Sequence, residues 1–128
     1  MGLWISATLN RYATIGGRGN KDVYKHSEYI EKTYIYSPES QKIADKYGVY
    51  LETAIVDDYE QVLLIIHNKR SEVRDHLYSG EIYDLPDVKD DETFSQRSED
   101  FIEEFIIAFP ELADVEFSPA GKRFIASS

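Results

Sequence analysis

Thirteen carboxylates lie within the segment Glu81 to Glu116, against only two bases, Lys89 and Arg97. That segment sums to −11 while the whole 128-residue chain is −10, so the remainder is close to neutral. Charge concentrated in this way sets up a field that draws cationic partners and repels nucleic acid and anionic membranes. The residues placed to act in this field are Asp84, Asp87, Asp90, Asp91, Glu92, Glu99, Asp100, Glu103 and Glu104, with Tyr83 or Phe94 as an apolar anchor. Glu99 and Glu103 stand four residues apart, as do Asp100 and Glu104. On a helix each pair sets two like charges side by side, at a cost of about 0.2–0.5 kcal/mol per pair. A surface selected for solubility alone would alternate signs here. Carboxylates spaced along a helix can imitate the phosphates of a nucleic acid, and such a surface can occupy the groove of a nuclease.

Other chemistries are less well served. An oxygen-only site for Ca²⁺ or Mg²⁺ needs a regular ligand spacing. Asp87-Val88-Lys89-Asp90-Asp91-Glu92 places a lysine at the second ligand position of an EF-hand loop and lacks its glycine, so no metal is expected. Gly16-Gly17-Arg18-Gly19-Asn20-Lys21 could cradle a phosphate through backbone N–H groups, but it follows neither the dinucleotide nor the Walker pattern. The histidines His26, His67 and His76 have no zinc spacing, and there is no cysteine to assist them. His67 closes an apolar run and reads as a structural histidine with its ring satisfied. Ten tyrosines against one Met and one Trp exceed what a core of this size absorbs, and tyrosine is favoured at protein interfaces.

Composition bounds the class. A chain of this length is one domain, 1–128, with enough surface to bury for a single core. The absence of cysteine rules out disulfides and thiolate metal sites and fits a reducing cytoplasm. The start Met1-Gly2-Leu3-Trp4-Ile5 has no basic region and no long apolar stretch, so no signal peptide is read there. Met-Gly-x-x-x-Ser at positions 1–6 matches a myristoylation pattern, but the alternation that follows reads as a strand. The longest apolar run, Val62 to Ile66, is too short to span a bilayer.

The elements that must position the acids follow from periodicity. Leu3, Ile5, Ala7 and Leu9 alternate with polar residues as in a half-buried strand, ending in a glycine-rich loop from Thr14. Residues 22–36 fit both a helix, through Val23, Ser27, Ile30 and Tyr34, and a strand at Thr33 to Tyr36. Ser37-Pro38-Glu39 starts a helix that Gly48 ends. Val49 to Ile55 and Tyr59 to His67 form a hairpin about Asp57-Asp58, the second arm apolar on both faces as in a central strand. Residues 69–80 read as a polar stretch with a short helix, and 80–95 as a loop. Ser98 is expected to cap a second main helix whose stripe is Phe101, Ile102, Phe105, Ile106 and Phe109, ended by Pro110. Val115 to Phe117 and Arg123 to Ile125 complete a C-terminal hairpin. The order is that of an α+β fold, an antiparallel or mixed sheet with two main helices on the ferredoxin-like βαββαβ plan.

The expected function is that of a small acidic cytoplasmic binding protein without a cofactor. It inhibits or neutralises a basic protein partner, as an immunity or anti-defence protein blocks a nuclease, and touches neither nucleic acid nor membrane directly. The alternative is a small enzyme or binding module acting on a nucleotide or phosphorylated ligand through the Gly16–Lys21 loop.

Overall fold

The stretch from Ser37 to Gly48 folds as its residues dictate. Ser37 accepts a hydrogen bond from the Ser40 N–H at 3.2 Å, Pro38 sits in the first turn, and Gly48 closes the helix at φ +64°, a left-handed conformation that glycine adopts at little cost. The computed structural model describes residues 4–16, 23–56, 61–68, 82–84 and 90–126, with backbone alone at 4–7, 16, 83, 124 and 126. The elements are β1 (Trp4–Gly16), α1 (Val23–Ile30), a π-helical turn (Glu31–Ile35), α2 (Pro38–Tyr47), β2 (Tyr50–Val56), β3 (Gln61–His67), β4 (Ile82–Asp84), α3 (Phe94–Ala108), a 3-10 turn (Pro110–Leu112) and β5 (Gly121–Ala126). The glycine-rich loop beyond Gly16, the Asp57-Asp58 turn, the polar stretch 69–80, His76 and Asp87 lie outside the described residues.

One antiparallel sheet runs in the order β2-β3-β1-β5-β4. Without β4 this is the strand order of the ferredoxin-like split βαβ sandwich. The added strand differs from the expected one. Residues 115–117 form no strand, because both edges of β5 are already taken, by β1 on one side and β4 on the other. The chain before β5 is instead tied to β1 by the Ser118 N–H on the Tyr12 carbonyl at 2.8 Å. β1 also runs further than expected, continuing through a register shift between Thr14 and Gly16.

The ambiguous segment is helical and adds a third helix. Val23, Ser27 and Ile30 face the core, and the wider π turn lets the consecutive Tyr34 and Ile35 both turn inward. Its defining bond, Tyr36 N–H to Glu31 O, measures 2.8 Å.

The helices cover one face of the sheet. Val62, Leu64 and Ile66 of β3 pack there with Phe94, Phe101 and Phe105 of α3, Tyr34, and Ile43 of α2. Leu63 and Ile65 point to the other face and cluster with Ala54, Val56, Ile125 and Tyr12. Both sets of β3 side chains are essentially inaccessible, which fits the interior place of a strand without polar alternation.

Candidate functional site

The start of α3 is built from Asp91. Its Oδ1 accepts from the Thr93 N–H at 2.9 Å and the Thr93 hydroxyl at 2.7 Å, and Arg97 approaches Oδ2 at 3.1 Å. The Thr93 hydroxyl and amide, followed by the Asn68 side chain and then the charge of Arg97, hold the Asp91 carboxyl down at about 2. The helix therefore begins at Phe94 with Thr93 before it, and Ser98 is not its cap. Ser98 is fully buried in the second turn and donates to the Ser95 carbonyl at 3.0 Å. Glu99 and Asp100 accordingly stand beyond the first turn, where the helix dipole does less for them.

The spacing of α3 sorts its acids. Phe94, Ser98, Phe101 and Phe105 form the buried stripe. Gln96, Asp100, Glu103 and Ile107 lie on the opposite side. Asp100 accepts from the Gln96 amide at 2.9 Å. Among the described residues no lysine or arginine pairs with Asp100 or Glu103. Ile107 is 78% exposed beside them. The flanks are compensated: Glu99 pairs with Arg11 at 2.6 Å on one side, and Glu104 pairs with Lys46 and accepts from the Tyr47 hydroxyl on the other. Those contacts hold the Glu104 carboxyl below its usual range, Lys46 first and Tyr47 second.

The other expected positions are dispersed. Asp90 and Glu92 are exposed ahead of the helix. Asp84 pairs in register with Arg123 of β5, which pairs with Thr8 of β1. Asp84 therefore stands on the sheet face away from α3 and does not join its acids. Phe94 is fully buried in the core, because it opens the apolar stripe, and it is unable to act as an anchor. The Tyr83 side chain and Asp87 lie outside the described residues. Further along, Glu111 accepts from the Tyr34 hydroxyl at 2.9 Å; burial first and this bond second push the Tyr34 pKa up.

A second polar cluster escaped the sequence pattern. On the sheet face away from the helices, His67 Nε2 lies 2.8 Å from Glu52 Oε2 and Nδ1 lies 2.5 Å from Thr8 Oγ1. Asn10, directly opposite His67, donates its amide to the Thr8 and Arg123 carbonyls at 3.3 and 3.4 Å. Arg123 returns a bond to the Asn10 carbonyl at 2.9 Å and lies over the Tyr12 ring. Its guanidinium occupies the space where a side chain at position 121 would begin, which suits Gly121. Thr8, Asn10 and His67 are buried, while Glu52 and Arg123 at the two ends of the chain of bonds are partly open to solvent. Period-two alternation does mark Thr8 and Asn10 as one face, but only the strand order reveals that His67 lies beside them. No group of three or more His, Asp or Glu among the described residues could hold a metal ion, and no helix there is long and apolar enough to cross a membrane.

Comparison with protein-family models, with curated proteins and with solved structures gave no match to this chain.

Proposed function

We propose that this chain is a small acidic binding protein that inhibits or neutralises a basic protein partner, in the manner of an immunity or anti-defence protein blocking a nuclease, and that its contact surface is the outer face of α3. The observation that carries this reading is the combination of Asp100 and Glu103, which have no base beside them among the described residues, with the open side chain of Ile107. The acids on the flanks of α3 are tied to Arg11 and Lys46 and serve packing. An exposed aliphatic side chain among carboxylates combines an anchor that gains from desolvation with charges that select a cationic partner. The groove beside Ile107, about 770 Å³ between α2 and α3, offers the anchor's surroundings.

The test uses purified cationic nucleases and the full chain. Association rates are measured across a salt series for the wild type, for Asp100→Lys with Glu103→Lys, and for Ile107→Ala. Wild-type association falls with salt. The double reversal slows it by about tenfold or more and flattens the salt dependence. Ile107→Ala speeds dissociation instead. Glu104 is left alone, because it holds α2. Unchanged affinity in the double reversal, or no association across the panel, overturns the reading.

A further inference from the structure

The shape of the space between α2 and α3 follows from the residues each helix turns toward the other. Near the start of α3, Arg97 reaches the Tyr47 and Gly48 carbonyls at the end of α2. Further along α3, Glu104 meets Lys46. The two helices therefore run antiparallel. From that ion pair toward the start of α2 and the end of α3, a groove of about 770 Å³ lies between them. Its floor is apolar. Ile43 of α2 is nearly buried there, Ala108 brings only a methyl group to the opposite wall, and Ile107 stands open at the lip. The rim sorts by charge. Lys46 and Glu104 cancel at one end. On α2, Glu39 and Lys42 add one charge of each sign. On α3, Asp100 and Glu103 precede Ile107 by seven and four residues, on the same side of the helix. No described lysine or arginine pairs with either of them. The α3 side of the groove is thus negative and the α2 side neutral.

The walls decide what kind of backbone fits. Both are helices, whose main-chain donors and acceptors in these turns are consumed within each helix, so the groove offers side chains alone. An extended segment laid there would leave its own N–H and C=O groups without partners along the walls, whereas a helix satisfies them itself. The exposed Glu39, Lys42 and Lys46 leave the groove open along its length. An open trough suits a long apolar ridge better than a small ligand, whose sites enclose it. From Glu39 to Lys46 the trough runs about 10 Å, or about two turns of a docked helix. We propose that it receives an amphipathic α-helix of the basic partner. The apolar stripe of that helix lies on Ile43, Ile107 and Ala108, and its lysines or arginines lie on the side facing Asp100 and Glu103. The inference rests on the reading of α3 as a contact surface and names the element that the partner brings to it.

Two synthetic peptides of about fourteen residues test this, each held helical by a side-chain cross-link because so short a helix is marginal alone. They share one composition of leucine, arginine, alanine and glutamine. One gathers its leucines in a single stripe with arginines along one side, and the other spreads both residues around the helix. Fluorescence anisotropy follows their binding to the full chain. The striped peptide is expected to saturate with a dissociation constant under about 100 μM, and the scattered one to bind at least about tenfold more weakly. Ile107→Ala, at an exposed position where folding is not at stake, weakens the striped peptide by about fivefold or more. Asp100→Lys with Glu103→Lys weakens it by about tenfold or more. Equal binding of the two peptides, or a striped peptide indifferent to Ile107→Ala, overturns the inference. A cationic nuclease whose association depends on Asp100 and Glu103, but which the striped peptide does not displace, overturns it too and leaves the α3 surface standing. Binding of the striped peptide without any nuclease association keeps the helix groove and drops the nuclease. A dimer in sedimentation that Ile107→Ala disperses makes a second copy of this chain the occupant and overturns the proposal.

Discussion

His67 uses both ring nitrogens inside the fold, and the way it does so fixes which contacts matter. In the neutral ring, Nε2–H donates to the Glu52 carboxylate and Nδ1 accepts from the Thr8 hydroxyl. Thr8→Val keeps the shape and removes the one partner that Nδ1 has among the described residues. The expected cost is about 1–3 kcal/mol, the penalty of a buried acceptor left unmatched, read as a lower urea midpoint at unchanged slope. A midpoint equal to that of the wild type would show the bond to be incidental. That His67 is a satisfied structural residue was legible from its place at the end of an apolar strand. Its partners were not, since Thr8 and Glu52 are far away in sequence and meet it only through the strand order. Asp91 yields a second prediction at this scale. Its folded pKa of about 2 lies below the ordinary 3.8, so folding favours the ionised form. The resulting stabilisation is complete above about pH 4 and is lost as pH falls toward 2. Thermal melting of the wild type and Asp91→Asn across that window checks the sign: the difference between them narrows as the acid end is approached. Curves that stay parallel from pH 5 to about pH 2 contradict the assignment.

The helices show where local signals suffice and where they do not. α2 was readable from end to end, because Ser37, Pro38 and Gly48 each act within one turn of themselves. α3 was readable in its stripe but not in its start. Ser98 resembles a cap in the sequence, yet its hydroxyl is turned into the helix, and the start is set seven residues earlier by Asp91, whose side chain accepts from the Thr93 N–H and whose carbonyl accepts from the Phe94 N–H. The clamp between these two helices is Arg97. One guanidinium donates to the Tyr47 and Gly48 carbonyls at 2.9 and 3.0 Å, to Asn68 of the loop after β3, and to Asp91, while Nε reaches the Thr93 hydroxyl. The carbonyls at the end of α2 are thereby paired at the negative end of its dipole. Arg97→Ala is expected to destabilise the protein by about 2–3 kcal/mol. Arg97→Lys recovers only a minor part, because a single ammonium does not reproduce the planar fork. Full recovery by lysine in chemical denaturation would mean that charge alone matters there. The acids of α3 were legible as a group from sequence, but their division into paired flanks and an unpaired outer face depends on Arg11 in β1 and Lys46 in α2, which no local pattern brings together.

At the scale of the molecule, a two-layer ferredoxin-like sandwich ordinarily buries one face of its sheet. Here the strand β3 has no exposed side: Leu64 and Ile65, neighbours pointing to opposite faces, are both inaccessible. The sequence carries this in the unbroken run from Val62 to Ile66, which has none of the alternation of a half-wet strand. The strand order that follows from it was legible only as an analogy of element order, and the partner of β5 was misread because a turn signal at Ser118 to Gly121 resembles a hairpin whether or not its first arm has an edge to pair with. The two-sided burial has a measurable consequence. If the face away from the helices were covered only loosely, truncating Ile65 would let solvent or neighbouring groups fill the gap and would cost little. If it is packed like the helix side, Leu64→Ala and Ile65→Ala leave comparable cavities. We expect each to cost about 2–5 kcal/mol and the two values to agree within about 1.5 kcal/mol. Urea denaturation of both variants reads this directly, and comparison of the denaturation slopes shows whether either changes the surface exposed on unfolding. A loss confined to Leu64→Ala would reduce the protein to a two-layer fold with a lightly capped sheet.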